Sequence, residues 1–183
     1  MTNARAVVLV EGISDQRAVA ALAQQRGRDL EAEGVSILPI GGAHAIGTYL
    51  ERFGPRGLDL KLAGLCDVGE EGTFRGALER TGVGADLTRK GMEDLDFYVC
   101  VTDLEDELVR ALGSAAVLRI VEAEGELGPF RTFQKQPAKR ELRLEEQLWR
   151  FMWNRKIRYA PLLVEALDLG SVPRPLDGLL AHV

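Results

Sequence analysis

Apolar residues follow two rhythms along this chain. Short unbroken runs, rich in β-branched residues, occur at "AVVLV" (6–10), "VSILPI" (35–40), "LKLAGLCD" (60–67) and "LDFYVCVTD" (95–103). Such runs predict strands covered on both faces, as in a parallel sheet. Between them, apolar residues return at helical spacing, as at Ala18, Val19 and Leu22. Ser14 is placed to cap that first helix, with Asp15 near its positive end. Further helices are predicted around 43–53 after the Gly41-Gly42 turn, over 73–80, over 104–113 ending at Gly113, and over 114–124. Strands that alternate with helices predict an α/β fold of Rossmann-like type: a mainly parallel central sheet flanked by helices and joined by right-handed crossovers.

The rhythm changes after residue 127. "GPFRTFQKQPAKR" (128–140) reads as a loop, and "RLEEQLWRFMWNRKI" (143–157) as one helix with Leu144, Leu148, Phe151 and Met152 on its apolar face. "APLLVEALDL" (160–169) reads as another helix, with Pro161 at an early position. We therefore divide the chain into an α/β core, 1–127, and a basic loop with a helical C-terminal extension, 128–183, packed on the core.

Charge sharpens that division. The net charge of -5 is uneven: residues 1–130 hold 13 Lys/Arg against 22 Asp/Glu, and residues 131–158 hold 9 against 3. An acidic body carries one basic segment. That segment is either a solvated helix face or a surface for a polyanion.

Composition excludes several classes. With 46% hydrophobic residues the chain can bury a core and is not a disordered polyanion. No run approaches the ~18 apolar residues of a membrane span, and "MTNARA" lacks the apolar stretch of a signal peptide. No Gly-Lys dipeptide occurs, so no Walker A loop is present. Cys66 and Cys100 lie far apart without a CxxC spacing; both are expected as reduced core thiols in a cytoplasmic protein.

Candidate chemistry lies at the strand ends. Three strands terminate in acids: Glu11, Asp67 and Asp103. Asp15 follows the first by one helical turn, and Glu105, Asp106 and Glu107 follow the third. In a parallel sheet all strand C-termini share one edge, where ligands bind at a topological switch point. Clustered carboxylates repel unless a cation compensates, and oxygen-only donors suit hard divalent ions. The cluster therefore predicts Mg²⁺ or Mn²⁺. Taken singly, each acid is also explained as a turn or cap residue.

"VVLVEGISD", "LAGLCDVGEEG" and "VTDLEDELVRAL" together resemble the three signature regions of a TOPRIM domain, in the version found in overcoming lysogenization defect (OLD) nucleases and in stand-alone nucleotidyl transferase/hydrolase proteins. By motif the resemblance spans residues 5–113, and the tail "RKIRYAPLLVEALD" is similar to the C-terminal part of that branch. The resemblance implies a TOPRIM fold and metal-dependent phosphodiester hydrolysis or transfer on nucleic acid. It implies Glu11, Asp15, Asp67, Glu105, Asp103 and Glu71 as metal groups. The usual second Asp of the middle motif is replaced here by Gly69, with Glu70 or Glu71 as substitutes. The branch's catalytic lysine matches Lys156, with Lys135 second. Lys139, Arg140, Arg155 and Arg158 would contact the nucleic-acid backbone, DNA before RNA. The ATPase half of OLD proteins does not occur in this sequence, so a separate ATPase subunit and a homodimer are further implied partners.

Two functions compete. One is a Mg²⁺/Mn²⁺-dependent nuclease. The other, favoured by Gly69, is a catalytically weak TOPRIM-like module that binds nucleic acid or an ATPase partner. A phosphate-binding α/β protein of another kind fits less well, because the acids of "EGISD" would repel an anion. Trp149 and Trp153, four apart, either stack on bases or form a core or interface stripe. His44 and His182 read as surface residues.

Overall fold

The computed structural model describes residues 4–183. The reading of "MTNARA" falls partly on residues 1–3, which lie outside the described residues. The chain runs β1 (Ala6–Val10), α1 (Ile13–Gln25), β2 (Val35–Pro39), α2 (Ile46–Phe53), β3 (Lys61–Asp67), α3 (Glu71–Thr81), α4 (Arg89–Glu93) and β4 (Phe97–Cys100). Six helices follow: α5 (Leu104–Leu112), α6 (Ser114–Ala123), α7 (Leu127–Gln134), α8 (Leu144–Met152), α9 (Lys156–Glu165) and α10 (Arg174–Ala181).

The four strands form one fully parallel sheet in the order β2-β1-β3-β4. The chain leaves β1 toward β2, then crosses back over β1 to reach β3. The direction of winding thus reverses between β1 and β3, which makes this the switch point where an α/β sheet opens a crevice for a ligand.

The reversal also sends helices to opposite faces. Alternation along β1 divides its side chains: Ala6, Val8 and Val10 join one buried cluster, Val7 and Leu9 the other. The first cluster takes α1 and α5 and also residues of α6–α10, including Leu148, Phe151, Leu163, Val164 and Leu179. The second takes α2, α3 and Met92 of α4. Fully burying side chains of this size contributes roughly 1.5–3 kcal/mol each. The clusters therefore fix where each helix sits on the sheet.

Local chemistry explains several departures from the sequence reading. The fourth strand is shorter than 95–103. Val101 N–H bonds to the Glu107 carboxylate at 2.9 Å, and Asp103 caps α5 by accepting from Asp106 N–H at 2.8 Å. Asp103 thus belongs to a helix cap beyond the strand. Ser14 is not the cap of α1; Gly12 holds that position in extended conformation.

The stretch 128–140 contains α7 where a loop was expected. Pro129 falls within the first turn, where its missing N–H costs nothing, and Phe130 and Phe133 pack edge-on against Phe151 at centroid distances of 5.2 and 5.7 Å. The helix expected over 143–157 is interrupted at Trp153–Arg155 by a tighter turn, and α9 then starts at Lys156. Pro161 lies inside α9, not near its start. It has no N–H for the carbonyl of Ile157, which instead accepts from Arg17 Nη1 at 3.3 Å. The short α4 and the C-terminal α10 had no place in the sequence reading. Gly178 of α10 lies so close to the Tyr98 ring that an added Cβ would sit 2.4 Å from it, so glycine sets this approach. Cys66 and Cys100 are free and buried, as expected.

Candidate metal and phosphate site

The site grows from the end of β1. Glu11 is the first residue past the strand, and its carbonyl accepts from Gly41 and Gly42 N–H, both at 3.1 Å. Those glycines have φ of 75° and 112°, a region that favours glycine; this turn seats the β2–α2 connection against Glu11. The Glu11 carboxylate reaches across the switch point and accepts from Asp67 N–H at 2.9 Å. Asp15, one turn into α1, accepts from Gly12 N–H at 2.8 Å. Each acid is therefore oriented by backbone donors at the sheet edge.

The second half comes from α5, α8 and α9. Asp103 is nearly saturated: its oxygens accept from Asp106 N–H, from Trp149 Nε1 at 2.9 and 3.0 Å, and from Lys156 Nζ at 2.8 Å. Lys156 also lies 2.8 Å from Glu105. Its ammonium sits over the Trp153 ring, 4.7 Å from the centroid. Glu105 differs from Asp103 in one respect. Its side chain is only 2% exposed, and Oε1 is buried without a hydrogen-bond partner. A buried carboxylate oxygen left unsatisfied costs free energy, and supplying a cation would remove that cost.

Electrostatics tie the two halves together. Burial raises Asp15 to about 6; the Gly12 N–H opposes this, while the Glu11 and Asp103 charges add to it. Burial, then repulsion from Glu11, Asp103 and Asp15, raises Asp67 to about 8. Burial raises Glu105 to about 7 against the pull of Lys156. Glu11 is also raised, by burial first and by Glu70 next, with the Asp67 N–H opposing. Burial alone would lower Lys156, but Glu105 and Asp103 outweigh it and the ammonium is held well above its ordinary value. Lys156 thus stays charged, while the acids around it hold more negative charge than one lysine neutralises.

The structure brings together Glu11, Asp15, Asp67, Asp103, Glu105 and Lys156. It does not bring in Glu71, which pairs with Arg89 on α4 and is held below the usual carboxylate range by that hydrogen bond. Glu70 is the member of that acidic pair felt by Glu11. Lys135 is exposed at the end of α7 and forms no ion pair among the described residues. Arg140 pairs with its neighbour Glu141 at 3.1 Å. Arg155 is bound to Glu126 at 3.3 Å and to the Phe151 carbonyl at 2.9 Å. Arg158 pairs with Glu124 and Glu126. Lys139 lies 5.5 Å from the centre of the Phe133 ring. Two cations of the basic segment, Arg155 and Arg158, are thus answered by Glu124 and Glu126 in the link between α6 and α7.

Sequence reasoning misses one role and leaves one choice open. Trp149 draws attention by its ring, but its N–H is what anchors Asp103; an indole four residues before Trp153 gives no sign of that. Glu70 and Glu71 are alternatives in the sequence, and only the turn at 68–70 decides which of the two adjacent acids faces Glu11.

Among the described residues, no three His, Cys, Asp or Glu side chains already close around one point as a metal cage. The donor set nevertheless suits a hard divalent cation: oxygen ligands only, uncompensated negative charge, and the free Oε1 of Glu105.

Comparison with known proteins bears on the fold. Residues 4–68 match the family model "Overcoming lysogenization defect protein-like, TOPRIM domain"; that stretch contains Glu11, Asp15 and Asp67. The C-terminal region of the Xanthomonas campestris pv. campestris OLD protein superposes with a TM-score of 0.76 at 23% identity, covering 100% of this chain and 95% of that one. The C-terminal region of the Burkholderia pseudomallei OLD protein gives 0.71 at 20% identity, covering 98% and 96%. No curated protein sequence matches the chain. The chain has the TOPRIM fold of the OLD C-terminal region.

Proposed function

We propose, for this chain of OLD-type TOPRIM fold, that it is a divalent-metal-dependent phosphodiesterase acting on nucleic acid, with DNA preferred to RNA. The observation that carries the proposal is Glu105 Oε1, buried and unpartnered in a cluster where burial also drives Glu11, Asp15 and Asp67 above their ordinary pKa values. Glu11, Asp15, Asp67 and Glu105 would hold Mg²⁺ or Mn²⁺. When bound, such ions supply Lewis-acid polarisation of a phosphoryl oxygen and a water of lowered pKa.

The chain's own groups have separable tasks. Asp67 and Glu11, rising from adjacent strands, define the mouth of the crevice. Asp103, fixed by Trp149 and the α5 cap, holds Lys156 in place. Two of the three Lys156 N–H donors are used on Asp103 and Glu105; one remains for a phosphate oxygen, whose growing charge it would stabilise. Arg131, Lys135, Lys139 and Arg143 are the basic-segment side chains left without an acidic partner among the described residues, and of these Lys139 and Lys135 are the phosphate contacts we favour over Arg155 and Arg158.

The test is nicking of supercoiled plasmid in Mn²⁺. Wild type should nick, and Glu11→Ala should lose at least about tenfold in rate, in line with removing a group that would hold the metal. Equal rates would remove Glu11 from the mechanism. A second reading, a binding module with a weakened site, is favoured by Gly69, which contributes no carboxylate beside Asp67. Calorimetry separates the two: Mn²⁺ binding tighter than millimolar supports the enzyme, whereas Mn²⁺-independent DNA binding without nicking supports the module.

A further inference from the structure

Seven large apolar side chains stand exposed among the described residues; four of them lie within two positions of a residue of this site in the chain, and a fifth touches Lys156. Ile13 follows Gly12, Val68 follows Asp67, Val101 precedes Asp103 by two, and Ile157 follows Lys156. The fifth, Trp153, carries the Lys156 ammonium over its ring. Exposed apolar groups scattered singly need no explanation, whereas several of them beside the residues of one acidic crevice point to a binding surface.

The occupant must bring apolar surface without closing the crevice. A protein partner seated on these groups would crowd the crevice that a phosphodiester has to reach. Duplex nucleic acid would leave them uncovered, because its base faces are stacked inside. An unpaired strand presents phosphate and flat apolar bases together.

Beside Trp153 the surface offers a place for such a base: an open recess of about 450 Å³ lined by Phe133, Lys139, Trp149, Arg150, Trp153 and Asn154. Trp149 and Trp153 meet edge to face at 5.5 Å. The N–H of Trp149 is locked on Asp103, so its ring is held without being used up. Trp153 is 54% exposed. Arg150 is occupied by Glu146 at 2.9 Å, which leaves Lys139 as the cation for a neighbouring phosphate. Asn154 provides an amide that can donate to or accept from a base edge.

We propose that this recess binds an unpaired nucleobase next to the phosphate that Lys156 takes beside the carboxylates, so that the substrate is a single strand or a locally unpaired segment. The inference rests on the phosphodiesterase reading for its substrate class, but its test does not depend on cleavage. With EDTA present and no metal, oligothymidylate binding is compared with an abasic sugar-phosphate strand of the same length and with a duplex. Wild type should prefer oligothymidylate to both. Trp153→Ala should weaken oligothymidylate binding on the order of tenfold, as expected for one stacked base, and leave the abasic strand unaffected; Trp153→Phe should keep most of the affinity. Equal binding of the normal and abasic strands by wild type overturns the proposal. So does an unchanged affinity in Trp153→Ala, which would reassign the exposed apolar groups to a protein contact. A protein that nicks DNA in Mn²⁺ but ignores bases refutes the recess alone; one that selects bases but never nicks refutes the phosphodiesterase alone.

Discussion

Glu126 and Glu105 are both glutamates facing basic residues on neighbouring helices, and their fates are opposite. Glu126 is bonded by Tyr159 Oη at 2.6 Å and by Arg155 at 3.3 Å, with Arg158 at 3.5 Å. Burial pushes it up, but these donors win and hold it below the usual carboxylate range. Glu105 has one ammonium, shared with Asp103, and burial wins. The first is a closed ion-pair network on the surface. The second is an open account of charge at a crevice. Adjacent acids and bases thus serve either stability or binding, depending on whether cations or anions are in surplus once all partners are counted.

Removing Lys156 should break this contrast most severely. Lys156→Ala leaves Asp103 and Glu105, 5% and 2% exposed, without their cation. Losing one partner of a buried pair costs about 3–5 kcal/mol. We expect the low end, about 3 kcal/mol, by urea unfolding at pH 8. The loss should be smaller at pH 5, where the orphaned carboxyls take up protons. An equal loss at both pH values would show that the lysine acts through packing.

The metal-free pH profile comes next. Asp15, Asp67 and Glu105 rise from 3.8, 3.8 and 4.5 to about 6, 8 and 7. In each case the folded protein keeps its proton to a higher pH than the unfolded chain. Between about pH 4 and 8 the folded state therefore binds more protons, and stability falls as the pH rises through that window. With the half-open rim discounted for solvent screening, we expect a fall on the order of 2 kcal/mol. Asp67→Asn or saturating Mn²⁺ should flatten it. Glu71 and Glu126, held low, work in the opposite direction: their contribution is present above the ordinary glutamate value and is lost only as the pH falls below it. A flat metal-free profile from pH 5 to 8 would contradict the surplus charge at the rim.

Trp149→Phe sharpens the comparison on a smaller scale. It keeps the ring and removes the N–H that bonds both oxygens of Asp103. The expected loss is about 1–2 kcal/mol, together with a nicking rate whose pH dependence shifts, because the Lys156–Asp103–Glu105 group is no longer fixed. A change in stability with an unmoved pH profile would make Trp149 purely structural. Arg158→Ala gives the smallest effect. Its side chain is 49% exposed, and exposed pairs contribute about 0–1 kcal/mol; unfolding should shift by no more than about 0.5 kcal/mol. Its DNA affinity at low salt should stay near wild type if Glu124 and Glu126 neutralise it, whereas Lys139→Ala should reduce both affinity and salt slope.

The sequence by itself determined the strands' existence, the parallel α/β class, and Glu11 and Asp67 at the functional edge. Those signals are local: an apolar run ends where the chain must turn, and an acid there is visible without any partner. The order of the strands, the choice of Glu70 over Glu71, and the pairing of Lys156 with Asp103 and Glu105 were decided only in three dimensions. The same holds for the neutralisation of Arg155 and Arg158 by Glu124 and Glu126 in the link between α6 and α7. Each of these depends on groups about 30 to 60 positions apart in the chain meeting across a packed interface. Charge at a site is set by such meetings, through burial and the count of partners, and no window of sequence contains either quantity.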